Sequence, residues 1–144
     1  MLLLKLVLMF IRYNHNPAGL EVGDCVIRAI ATALDLDWYI VHDELCDLSG
    51  YMTDMPSSNR VWKTYLENFG FGETMIDTDC PNCLTVQDFC ERHPIGRYIL
   101  STCEYTAANR IVVAGTHVVA AIYGDYYDIW DSGSDIPLSY FYVN

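Results

Sequence analysis

Cysteine and histidine supply the side chains of this chain best suited to nucleophilic or metal chemistry, with six of the first and four of the second. A cysteine attacks as its thiolate, so a catalytic one needs its pKa, ordinarily about 8.5, lowered by a helix N-terminus and a nearby imidazolium. Asp24 reads as the N-cap of a helix whose first residue is Cys25, where open amides and the helix dipole favour negative charge. The bland alternative for Cys25 is a small buried residue in a first helical turn, a common fate of free cysteine. His117 opens an apolar strand with only Thr116 as a polar neighbour. A strand end can present its side chain into a cleft. The other histidines fit plainer roles: His15 in a loop, His42 on a helix and His93 before Pro94.

An imidazole acting as base needs a third group to hold its tautomer and orientation. The next strand offers Asp128 and Asp131. A hairpin turning at Gly124-Asp125 pairs Asp128 near Ala121, more than about 10 Å from His117 along the strands at about 3.3 Å per residue. Asp131 is therefore the expected partner. A simple two-residue turn would put Asp131 on the opposite face, so a three-residue loop or a bulge is expected with it.

The elements that must position these residues follow from periodicity and punctuation. Asn14 to Gly23, with Pro17 and two glycines, reads as a loop. Ile27, Ile30, Ala31 and Leu34 form one apolar stripe of a helix, with Cys25, Arg28, Ala29 and Thr32 on the other face. A second helix is expected from about Trp38 to Leu48 behind Asp37, and a third from Asn59 to Asn68 between Ser58 and Gly70. Thr85-Val86-Gln87-Asp88 resembles a capping box opening a short helix before Pro94. Four strands are expected after it: Arg97 to Thr102, Thr116 to Tyr123, Tyr126 to Asp131 and Tyr140 to Val143. Thr116 to Tyr123 is apolar on both faces and should be central. The predicted class is α+β in one domain over residues 1–144, with helices packed on a C-terminal antiparallel sheet.

Composition narrows the function. With 144 residues, 52% apolar and 19% charged, the chain can bury a core without metal or disulfide. Eight basic residues against 19 acidic ones give a net charge of −11. That disfavours nucleic-acid phosphates and anionic membrane surfaces as partners. The apolar run Leu2 to Ile11 is too short to span a bilayer and carries Lys5 within it, so it reads as a buried first strand. A cytoplasmic setting with reduced cysteines is expected. Cys80, Cys83, Cys90 and His93 have spacing that could hold a structural zinc, although a lone CxxC is a weak signal. Cys46 and Cys103 read as core or strand residues.

Gly23-Asp24-Cys25-Val26-Ile27-Arg28-Ala29 resembles the start of the nucleophile helix of the papain-like cysteine peptidase superfamily. Thr116-His117-Val118-Val119-Ala120-Ala121-Ile122-Tyr123-Gly124 is similar to its histidine strand, and Asp131-Ser132 stands where its Asn-Ser would be. With His93 to Leu100 and Tyr126 to Gly133, the pattern from Asn14 to Val143 resembles small papain-like proteins of phages and bacteria. The resemblance implies a Cys25–His117–Asp131 triad in a cysteine peptidase, isopeptidase or amidase that needs no cofactor. Its substrate would be a peptide or protein, and the small size of the chain leads to a shallow cleft that prefers small residues or exposed tails. Gly19 stands where the superfamily's oxyanion glutamine would be; Asn14 or Asn16 could substitute, and Asn16, fixed by Pro17, is the expected one, with an ordinary turn residue as its plainer reading. The rival reading is a catalytically silent papain-like binding protein, for example a phage protein that engages a host factor.

Overall fold

The structure, a computed structural model, describes residues 9–78, 83–103 and 117–144. Its elements run β1 (Phe10–Arg12), α1 (Cys25–Leu34), α2 (Trp38–Met52), α3 (Asn59–Asn68), β2 (Glu73–Met75), α4 (Val86–Arg92), β3 (Arg97–Cys103), β4 (His117–Ile122), β5 (Asp125–Asp128) and β6 (Ile136–Tyr142). The class is α+β, with four helices and one six-stranded sheet among the described residues. Strand order is β1-β5-β4-β3-β6-β2. The sheet is mixed, not antiparallel throughout as expected, because β1 pairs parallel to β5. That pairing joins strands far apart in the chain, so no local pattern announces it. Of the expected first strand Leu2 to Ile11, residues 2–8 lie outside the described part, and Phe10 and Ile11 are only half-buried at the sheet edge. No described helix is long and apolar enough to cross a membrane.

Helix starts follow local chemistry. The Asp37 carboxylate accepts from the Tyr39 amide at 2.8 Å, and Thr85 and Asp88 form the reciprocal capping box. Asp24 occupies the N-cap position of α1 but makes no side-chain cap bond. Its carboxylate serves another purpose.

β4 lies inside the sheet, between β5 and β3. Its residues divide by strand parity. Val118 and Ala120 join Ile99, Phe141 and helices α1, α2 and α3 in one core, while Val119 and Ala121 join Leu100, Tyr126 and α4 in the other. Ile30 and Ala31 of α1 are fully enclosed, as a buried stripe requires. The opposite face is not solvated either, since Arg28 and Ala29 are buried there. The reason is position: α1 packs on β4 and on α2 at once.

The β4–β5 hairpin turns one residue earlier than expected. Ile122 pairs with Asp125, leaving Tyr123 and Gly124 as a two-residue turn with φ of 47° and 82°. Two positive φ values make the type I′ turn, whose twist matches that of the strands it joins. The Tyr123 amide donates to the Gly96 carbonyl at 2.9 Å, which ties the turn to the neighbouring loop. No third loop residue is used, and the β4–β5 pairs run without a bulge. Ala121 opposes Tyr126 and Ala120 opposes Tyr127. Continued further, this register sets His117 against Trp130 and Asp128 on the diagonal, two residues nearer than a turn at Gly124-Asp125 allows.

Gly124→Val places a β-branched side chain at positive φ, which costs about 1–2 kcal/mol. The expected result is a lower urea midpoint with an unchanged slope, and equal midpoints would show that the turn tolerates a side chain there.

Candidate active site

Cys25 is the first residue of α1 and His117 the first of β4, so the packing of these two elements brings both side chains together. On the other side of β4, His117 pairs with Thr102 of β3, whose hydroxyl donates to the His117 carbonyl at 3.2 Å. The imidazole Nε2 lies 2.6 Å from Asp128 Oδ2, and the ring packs against Trp130 with centroids 4.9 Å apart. With Nε2 on the carboxylate, Nδ1 is the nitrogen left to face Cys25, and thiol and imidazole each shift the other's pKa.

The carboxylate under His117 is tightly held. Asp128 Oδ2 also accepts from the Ser132 hydroxyl at 2.7 Å, and Oδ1 accepts from the Ile129 amide at 2.8 Å. Arg28 Nη2 stands 3.8 Å from the same Oδ1. The side chain is 2% exposed.

Opposing effects set the charge state of the pair. Burial disfavours the Cys25 thiolate, but the His117 hydrogen bond and charge, the Val118 amide and Arg28 together lower the thiol pKa from its ordinary value. Burial likewise disfavours the His117 imidazolium. Hydrogen bonds and charge from Asp128 and Cys25 outweigh it and raise the pKa to about 9. Both shifts move the pair towards thiolate facing imidazolium, the form in which a cysteine attacks.

The residues expected from sequence divide clearly. Cys25 and His117 meet. Asp131 does not reach His117: it accepts from the Tyr126 hydroxyl and, at 3.0 Å, from the Gly133 amide. The correction to Asp128 follows from the turn at Tyr123-Gly124, which moves every β5 residue relative to β4. Asn16 turns its amide nitrogen to Asp24 Oδ2 at 3.1 Å, while its oxygen accepts from the Ala18 and Leu20 amides. Its bonds shape the loop before α1. Of the zinc set, Cys80 lies outside the described residues, Cys90 is buried, and His93 donates from Nδ1 to the Phe89 carbonyl at 2.9 Å. Among the described residues no three His, Cys, Asp or Glu side chains are grouped to hold a metal ion. Cys46 lies on α2 with its sulfur 3.7 Å from His42 Nε2, and Cys103 is a buried residue of β3.

Two contributors escaped the reading of the sequence. Arg28 reads from the sequence only as a residue of the α1 face opposite the apolar stripe, although its spacing of four from Asp24 is that of an intrahelical ion pair. Trp130 had no signal beyond its place near the strand end. Comparison with protein-family models, curated proteins and solved structures found no match to the chain.

Because the folded pKa of His117 is raised, the imidazolium's contribution to stability is complete below about 6.5 and is lost as pH rises through about 9. Asp128→Asn removes the carboxylate that does most to raise it. The stability gap between wild type and Asp128→Asn should be widest below pH 6.5 and close towards pH 10, read by urea unfolding. In an NMR titration Asp128→Asn should bring the His117 midpoint down while Asp131→Asn leaves it in place. The reverse pattern would return the role to Asp131.

Proposed function

We propose that this protein is a cysteine-dependent hydrolase or acyl transferase of the papain-like type, acting on peptide, isopeptide, amide or thioester carbonyls. The observation that carries the reading is the contact series from Cys25, at a helix start, through His117 to the buried Asp128. The papain-like fold belongs to the same proposal. It is supported by the order Cys, His, Asp along the chain and by α1 packing on the histidine strand.

In this reading the Cys25 thiolate attacks the carbonyl carbon, and the carbonyl π electrons move to oxygen. The first amides of α1, beginning with that of Cys25, face the developing oxyanion. His117 Nδ1 gives its proton to the departing amine or thiol, and the tetrahedral centre collapses to an acyl thioester on Sγ. His117 then takes a proton from water or another acceptor, whose attack displaces Sγ and restores the thiolate. Asp128 accepts from Nε2 throughout and keeps the imidazole directed. Trp130 covers one face of the imidazole.

The bond from Asn16 to Asp24 supports a second reading, a silent scaffold that binds a partner, because it takes up the side chain expected to complete the oxyanion site.

The first test is the pH dependence of Cys25 alkylation by iodoacetamide, followed by peptide mass spectrometry. An ordinary thiol of pKa about 8.5 is only about 3% ionised at pH 7. Wild-type Cys25 should react with a midpoint below that of an ordinary thiol, and His117→Ala should slow the reaction at pH 7 by about tenfold. A wild-type midpoint near 8.5 that ignores His117 would sink the enzyme reading. Given a reactive Cys25, hydrolysis of peptide and thioester libraries that disappears in Cys25→Ala separates the enzyme from the silent scaffold.

A further inference from the structure

We infer that Arg28 is a positioning residue of this site: clamped between Asp24 and Asp128, its guanidinium holds the carboxylate under His117 and sets the charge balance around Cys25. The inference rests on the reading of Cys25 as a nucleophile.

Arg28 is almost wholly enclosed, with a side chain 7% exposed against 5% for Asp24 and 2% for Asp128. A cation this far from water is costly unless its partners are fixed. One partner is fixed well. Nη1 donates to Asp24 Oδ1 and, at 3.2 Å, to the Val22 carbonyl. Asp24 Oδ2 in turn accepts from Trp38 Nε1 at 3.0 Å and Asn16 Nδ2 at 3.1 Å. The carboxylate at the N-cap position is thereby spent on anchoring a guanidinium to α2 and to the preceding loop. The anchored guanidinium reaches the second partner with Nη2, 3.8 Å from Asp128 Oδ1. Arg28 lies three residues after Cys25 on the same helix, close enough for its charge to favour the thiolate.

The ionisable groups of the cluster are Cys25, Asp24 and Arg28 from α1 and its cap, His117 from β4, and Asp128 from β5. Tyr126, bonded to Asp131, faces Asp128 from the same strand. With Cys25 and His117 as an ion pair, one guanidinium between two carboxylates leaves the cluster at −1. Loss of Arg28 takes it to −2, and loss of the Asp24 charge takes it to 0. These changes push the Cys25 thiolate in opposite directions. A merely structural clamp behaves otherwise, because breaking it from either end loosens the site and carries Cys25 towards an ordinary thiol both times.

The experiment is the same alkylation profile in wild type, Arg28→Met, Arg28→Lys and Asp24→Asn, with a thermal melt of each to establish folding. Arg28→Met should raise the Cys25 midpoint by about one pH unit. Arg28→Lys should recover part of that shift, since it keeps the charge without the fork that spans two carboxylates. Asp24→Asn should lower the midpoint. A folded Arg28→Met with the wild-type midpoint, or a rise in both Arg28→Met and Asp24→Asn, overturns the inference. If Arg28→Met does not fold, Asp24→Asn decides: a fall supports the role, and no change or a rise refutes it. A wild-type profile indifferent to His117→Ala marks failure of the nucleophile reading itself, a result distinct from any of these.

Discussion

The Asp128 side chain is 2% exposed, and a carboxylate taken that far from water needs donors and cations around it or it costs the fold several kcal/mol. Four groups answer that requirement: the Ile129 amide, the Ser132 hydroxyl, the His117 imidazole and the Arg28 guanidinium. They come from the turn after β5, the start of β4 and the first turn of α1. Satisfying one buried charge therefore fixes the mutual placement of the elements that carry Cys25 and His117. Removing a single partner would strand the others, so the cluster behaves as a unit and its parts are not separable contributions.

The rest of the fold can be understood as what keeps this charge dry. Two apolar cores lie on the two faces of the sheet, and β4 contributes to both through alternate residues. An interior strand of this kind cannot shift by one residue without turning both sets of side chains onto the wrong face. His117, at its end, inherits that rigidity. α1 is constrained equally, being packed on β4 and α2 together. Cys25 and His117 thus sit on rigid elements rather than on loops. A thiolate–imidazolium contact needs such support, because its strength depends steeply on separation and on exclusion of water.

The electrostatics of the pair show competition decided by geometry. Burial opposes charge on both Cys25 and His117, and on each it is the largest single effect. It loses on each only because several smaller contributions converge. For His117 these are Asp128 and Cys25, and for Cys25 they are His117, an amide and a guanidinium. A cluster balanced this way responds to the loss of any one charge, a property suited to a reacting centre.

Residue types and short-range spacing were enough to determine most of the elements and two members of the candidate site. Asp37 and Thr85 start helices by chemistry that acts within three residues. The i, i+3, i+4 stripe located α1, and the doubly apolar run located β4, because burial imprints its period on a sequence. Cys25 and His117 were legible for the same local reason, each standing at the first residue of an element. Tertiary structure decided everything that depended on register or on distant partners. Whether Asp128 or Asp131 lies under His117 hinged on a turn one residue earlier than expected, and strand geometry converts that step into a two-residue gain in reach for Asp128. The parallel pairing of β1, the burial of Arg28 and the diversion of Asp24 and Asn16 into its anchorage likewise had no local signature. A residue's own neighbours in sequence specify its backbone, but only the packing of remote elements specifies which charges it must meet.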